Sequence, residues 1–271
     1  MEGYWSLVIF TILGQASAGM LMLLSPFANR TADDSRTKAW VACILLGAGA
    51  LASLGHLSDP AVSFYTITNV GTSWLSREIL FVGLFGAGLL LWLITLNAWI
   101  RWLTSFLGLG LVYVMSRVYT LPTVPFWNTL ATFWTFLATS LLLGAITLLF
   151  LEAIKVRGDD EASRGLLLGW YPVLIVLAFS FQMLAFPLQL MLAQTPLCTT
   201  LIAWYLTLLL AGAALGPLLF VRNGFRQSLS ENRLFCPCPI HIRAGVLLLL
   251  IWAGEICGRV LFYSGYTWFG M

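Results

Sequence analysis

Residues 76–119 read SREILFVGLFGAGLLLWLITLNAWIRWLTSFLGLGLVYVMSRVY, two long apolar runs separated by Asn97 and Ala98. As one helix the stretch would be about 66 Å long, twice the roughly 30 Å of a bilayer's hydrocarbon core. A tight hairpin of two spans, 76–96 and 99–119, resolves the conflict. Extended over the 271 residues, the same reading gives six further spans at 4–25, 39–57, 128–152, 166–189, 198–221 and 242–264. The expected fold is therefore all-α: a polytopic membrane protein of eight transmembrane helices in one integral membrane domain, 1–271. Composition agrees, with 60% hydrophobic residues and only 9% charged, against about 25% charged for a soluble domain. Nothing in it calls for a nucleic-acid partner; membrane lipid is the surrounding partner.

The loops predict orientation. Arg30, Arg36 and Lys38 lie in loop 26–38, Arg101 follows the next same-side turn, and Lys155, Arg157 and Arg164 lie in loop 153–165. Arg222, Arg226 and Arg233 occupy loop 222–241, with Arg243 just beyond, whereas loops 58–75, 120–127 and 190–197 hold no Lys or Arg. The positive-inside rule then puts both termini outside, which is the periplasm for a bacterial inner membrane. The first helix, with no positive charge before it, is expected to be retained as a span rather than cleaved. Pro172, Pro187 and Pro217 fall inside spans, where neighbouring helices can compensate freed backbone groups. The pairs Gly212/Gly216 and Gly254/Gly258 suit close helix approach.

Ionisable residues within apolar spans are expensive and mark function. His56, Arg77, Glu78, Arg117, Glu255 and Arg259 are such residues, and the topology gathers them toward the outer helix ends with Tyr119 and Tyr263. Glu255 and Arg259, four apart, share a face and are placed to pair. Arg77 is long enough to reach the outer interface, whereas Glu78 is not. A neutral imidazole and a carboxylate near an apolar slot suit removal of protons from a quinol.

Other chemistry fits less well. With only His56 and His241, on opposite sides, a bis-histidine haem is not expected, and no Cys-x-x-Cys-His, iron–sulfur or nucleotide motif appears. Cys43, Cys198 and Cys257 read as packing residues. Cys236, Cys238 and His241 lack a fourth ligand for a tetrahedral metal site, so no metal is expected.

The runs Gly14-Gln15 with Ala18-Gly19, His56-Leu57 with Pro60 and Ala61, Asn69-Val70-Gly71, Leu75-Ser76 with Glu78-Ile79, Arg117-Val118-Tyr119, Thr123-Val124-Pro125 with Trp127, and Gly254-Glu255 with Gly258-Arg259 and Phe262-Tyr263 resemble the membrane anchor subunit of the dimethyl sulfoxide reductase family. The resemblance is most specific from His56 to Ile79 and from Arg117 to Trp127. It implies an eight-helix anchor that oxidises menaquinol near the periplasmic face in anaerobic respiration. Electrons would pass to an iron–sulfur subunit and on to a molybdopterin catalytic subunit, both on the periplasmic side, so that clusters and molybdopterin belong to partners. By motif position His56 and Glu78 become the proton-handling pair, with Gln15, Asn69, Arg77, Arg117, Tyr119, Glu255, Arg259 and Tyr263 around the quinol. A rival reading is a secondary transporter whose outward cavity binds an anion through Arg77, Arg117 and Arg259; a third is an assembly scaffold without a redox role.

Overall fold

The computed structural model describes residues 4–27, 32–55, 69–155, 161–192, 197–215 and 240–265. His56, Cys236, Cys238, Pro217 and Gly216 lie outside these described residues. The helices are α1 (Tyr4–Phe27), α2 (Ala32–Leu54), α3 (Trp74–Thr95), α4 (Ala98–Tyr119), α5 (Leu130–Lys155), α6 (Glu161–Met191), α7 (Thr199–Leu209) and α8 (Ile240–Ser264). A π-helical segment, Leu210–Leu215, continues α7. Among the described residues seven helices, all but α7, are long and apolar enough to cross a membrane; the apolar stretch containing α7 is shorter, Thr199–Ala213.

The hairpin expected at Asn97-Ala98 is present, and its chemistry is local. Leu96 ends α3 in the left-handed region (φ 51°), its N–H donating to the Trp92 carbonyl, a conformation that costs a non-glycine residue about 1–2 kcal/mol. Asn97 offsets this by capping α4: its side-chain oxygen accepts from Trp99 N at 2.8 Å and Ile100 N at 3.4 Å. At the other end of α3, Ser73 caps the helix through Ser76 N.

The bundle is built around α1 and α5, whose spans are 78% and 72% buried, against 28–44% for the other long helices. α1 packs on α2, α4, α5 and α8, and α5 packs on α1, α4, α6 and α8. Lipid tails supply no hydrophobic drive between helices, so close backbone approach must provide the contact. It does so at Gly19 and Gly144: a Cβ on Gly19 would stand 1.7 Å from the Ser140 carbonyl oxygen, and one on Gly144 would stand 2.3 Å from the Gly19 carbonyl carbon. Gly212, Gly254 and Gly258 play the expected part between the α7 region and α8, meeting Ile251, Leu209 and Tyr205 respectively. Large apolar residues such as Ile94, Trp99, Leu184 and Leu249 face outward, as lipid contact requires.

Arg36 and Lys38 of α2, Lys155 at the end of α5 and Arg164 in the first turn of α6 are helical rather than within the expected loops 26–38 and 153–165, because the helices run on past their apolar stretches; one of the four departs further. Lys38 is not in a loop; it lies in the second turn of α2, 1% exposed, and forms a salt bridge with Glu152 of α5, also buried. Arg36, two residues earlier, is exposed. The loop assignment failed because a short polar turn at a helix start looks like loop until its burial partner, 114 residues away, is known.

Two outcomes follow for detergent-purified protein. Gly19→Ala should lower thermal stability by at least about 1–3 kcal/mol through overpacking, while Gly47→Ala, with nothing within 4 Å of the new methyl, should be neutral or slightly stabilising. Lys38→Met alone should cost about 3–5 kcal/mol by taking the ammonium away from buried Glu152, and adding Glu152→Leu should recover most of that loss.

Candidate functional site

Two polar clusters lie within the bundle, one at the end formed by the start of α3 and the finish of α4 and α8, the other deeper inside it. The first begins at Glu78, in the second turn of α3. Its side chain is buried, and Oε1 has no hydrogen-bond partner; the Ser76 hydroxyl, nearer the end, is likewise buried and unpartnered. A buried carboxyl oxygen without a partner is costly. Glu78 lies near the hydroxyls of Tyr119 and Tyr263, and Tyr263 donates to Tyr119 across 2.7 Å.

Behind the tyrosines sits Arg259, 5% exposed. It makes no salt bridge with Glu255, although the i,i+4 spacing put them on one face. Instead its Nη2 donates to Gln15 Oε1 at 2.6 Å, and the guanidinium lies 3.9 Å from the centre of the Phe136 ring and 5.5 Å from that of Phe262. Cation–π attraction is strongest where water is excluded, so two rings and an amide do the work of a counter-ion. The aromatic frame continues outward: Trp127 stacks on Phe262 at 5.2 Å and donates from Nε1 to the Phe262 carbonyl. That bond pins the 120–129 connection onto α8.

Arg77 and Arg117 form a separate arrangement. Both guanidinium groups lie against Trp74, 4.3 and 5.1 Å from the ring centre. Arg77 also donates to the Val70 and Gly71 carbonyls at 2.8 and 2.7 Å, closing the turn that starts at exposed Asn69, whose own carbonyl accepts from Thr72 N and Ser73 N.

Glu255 belongs to the second cluster. Its carboxylate accepts from Thr139 Oγ1 (2.8 Å) and from Gln182 Nε2 (3.0 and 3.2 Å). Nine residues from the end of α8, it lies about 14 Å along the helix, near the middle of a hydrocarbon layer of roughly 30 Å. The structure thus gathers Gln15, Glu78, Tyr119, Arg259 and Tyr263, sets Arg77 and Arg117 around Trp74, and leaves Asn69 at the exposed rim. Thr132, Thr135, Thr139, Gln182, Gln189 and Tyr205 were missed in sequence. Their signal was spacing: threonines at i, i+3, i+7 on α5 and glutamines at i, i+7 on α6 put each set on one face. His241, at the start of α8, is exposed.

A helical membrane bundle with buried ionisable side chains gathered at one end is the class of an integral membrane subunit with a polar functional site. The protein belongs to the DMSO reductase anchor subunit (DmsC) family, whose model matches residues 1–194. It is 32% identical to the YnfH subunit of anaerobic dimethyl sulfoxide reductase from Escherichia coli (strain K12), over 98% of this protein and 96% of that one. It is 30% identical to the C subunit of anaerobic dimethyl sulfoxide reductase from the same organism, again over 98% and 96%. The C subunit of the Haemophilus influenzae enzyme is 35% identical over 52% of this protein and 56% of its own length. No solved structure matches significantly. The protein is a polytopic membrane anchor subunit, and its family associates with catalytic and electron-transfer subunits.

A double-mutant cycle on Tyr119→Phe and Tyr263→Phe should give a coupling of about 1 kcal/mol in detergent unfolding; additive losses would mean that the hydroxyl pair is not formed.

Proposed function

We propose that this subunit spans the bilayer eight times with both termini in the periplasm of a bacterial inner membrane, and oxidises menaquinol at the Glu78 end. The observation that carries the reading is the Glu78 carboxyl itself, buried with an unpartnered oxygen beside the Tyr119–Tyr263 pair, in a member of the anchor family. Oxidation removes two electrons and two protons from the quinol. An unpartnered carboxylate oxygen accepts a hydroxyl proton without first breaking another bond, and His56 serves the second hydroxyl. The bonded Tyr119–Tyr263 pair forms the polar wall beside the acid, and the Arg77–Trp74–Arg117 stack forms the outer lip from which protons leave. Electrons pass to an iron–sulfur subunit and then to a molybdopterin catalytic subunit on the periplasmic side, so the step moves no net charge across the membrane.

An anion-transport cavity is a poorer fit. Arg77 and Arg117 are held at Trp74 while Arg259 is engaged by Gln15 and Phe136, so the three cations do not line one pocket.

Glu78→Gln in the assembled complex should lower quinol oxidation by at least about 100-fold, with artificial-donor activity of the partner subunits unchanged. Retention of both activities would refute the assignment of Glu78.

A further inference from the structure

Four helices each contribute one polar side chain to the second cluster: Thr139 from α5, Gln182 from α6, Tyr205 from α7 and Glu255 from α8. Gln182 Nε2 lies 2.9 Å from Tyr205 Oη, 3.0 and 3.2 Å from the two Glu255 oxygens and 3.3 Å from Thr139 Oγ1. An amide carries two N–H bonds and cannot serve four oxygens at once. The Thr139 and Tyr205 hydroxyls carry protons of their own, and Thr139 gives its proton to Glu255. Gln182 Oε1 and Arg259 Nε, both buried, lack partners, and these are the groups that water would satisfy.

The cavity that these groups adjoin has a volume of about 30 Å³, room for about two waters. That volume suits water molecules at the buried polar groups. Thr135 and Gln189 line it as well. Gln189 donates to Thr132 at 3.1 Å, extending the polar seam toward the Glu78 end of the bundle. The groups facing Glu255 are Thr139, Gln182 and Tyr205 from three neighbouring helices and Arg259 from its own.

We propose that this cavity is a hydrated proton-holding site, in which the Glu255 carboxylate reversibly binds a proton delivered by internal waters along the Thr132–Gln189–Thr135 seam. The exchange is Glu–COO⁻ plus H⁺ to Glu–COOH, with Thr139 and Gln182 donating to either form and Arg259 balancing the charged one. Only the origin of the proton rests on the quinol reading; the site does not.

Infrared difference spectroscopy of the purified, assembled complex tests this across a pH titration in H₂O and D₂O. A carboxylic acid C=O band that shifts in D₂O is expected in the wild type, retained in Glu78→Gln and lost in Glu255→Gln. Thr139→Val, which keeps the acid, should move the band in frequency by removing one hydrogen bond, and Gln189→Leu should slow its deuterium exchange by closing the seam. Identical carboxyl spectra in wild type and Glu255→Gln, or no response to Thr139→Val, would overturn the site; exchange unaffected by Gln189→Leu would overturn the path. Loss of quinol oxidation in Glu78→Gln is read separately, so failure of either proposal is distinguishable from failure of the other.

Discussion

The crossing of α1 and α5 at Gly19 and Gly144 sets the geometry of everything above it. With no Cβ on either side, the two backbones touch, and α1 is drawn into the centre of the bundle. Gln15 stands one turn from Gly19 and Phe136 one turn from Ser140, both toward the Glu78 end. Arg259 of α8 fits between them, bonded to one and lying on the other. A bulkier contact would move Gln15 away from Arg259 and leave a buried guanidinium without hydrogen bonding, at a cost of several kcal/mol. The polar site is thus assembled by a packing feature that contains no polar side chain.

Charge in this protein is handled in two different ways. At one end, Lys38 and Glu152 neutralise each other directly. At the other, Arg259 is satisfied by an amide and two aromatic faces, while Glu78 is left with an unpartnered oxygen. Full pairing suits a fixed joint between helices, because nothing remains for a ligand to do. Incomplete satisfaction suits a site where a substrate or a proton completes the set.

Much of this was legible in sequence, for physical reasons. Hydrocarbon thickness forces the break at Asn97, and the expense of intramembrane charge singles out Glu78 and Arg259. What sequence concealed was the choice of partner. The four-residue spacing of Glu255 and Arg259 suggests a pair, but Arg259 turns to Gln15, 244 positions away, because an aromatic bed lies on that side. Threonine and glutamine are tolerated in membrane helices at little cost, so the Thr139–Gln182 seam raised no signal of expense. Gly19 and Gly144 belong to different helices, and no local spacing relates them.

The Lys38–Glu152 bridge also has a history in time. Its two ends are separated by 114 residues, which at about 5–20 residues per second means that Lys38 is synthesised roughly 6 to 23 s before its partner. Throughout that interval it is a cation near the start of α2 whose Glu152 partner has not yet been made. Once α5 arrives, the same ammonium is taken out of water and becomes a fastener between helices. A polypeptide halted before Glu152 would lack the carboxylate against which the finished protein seals Lys38.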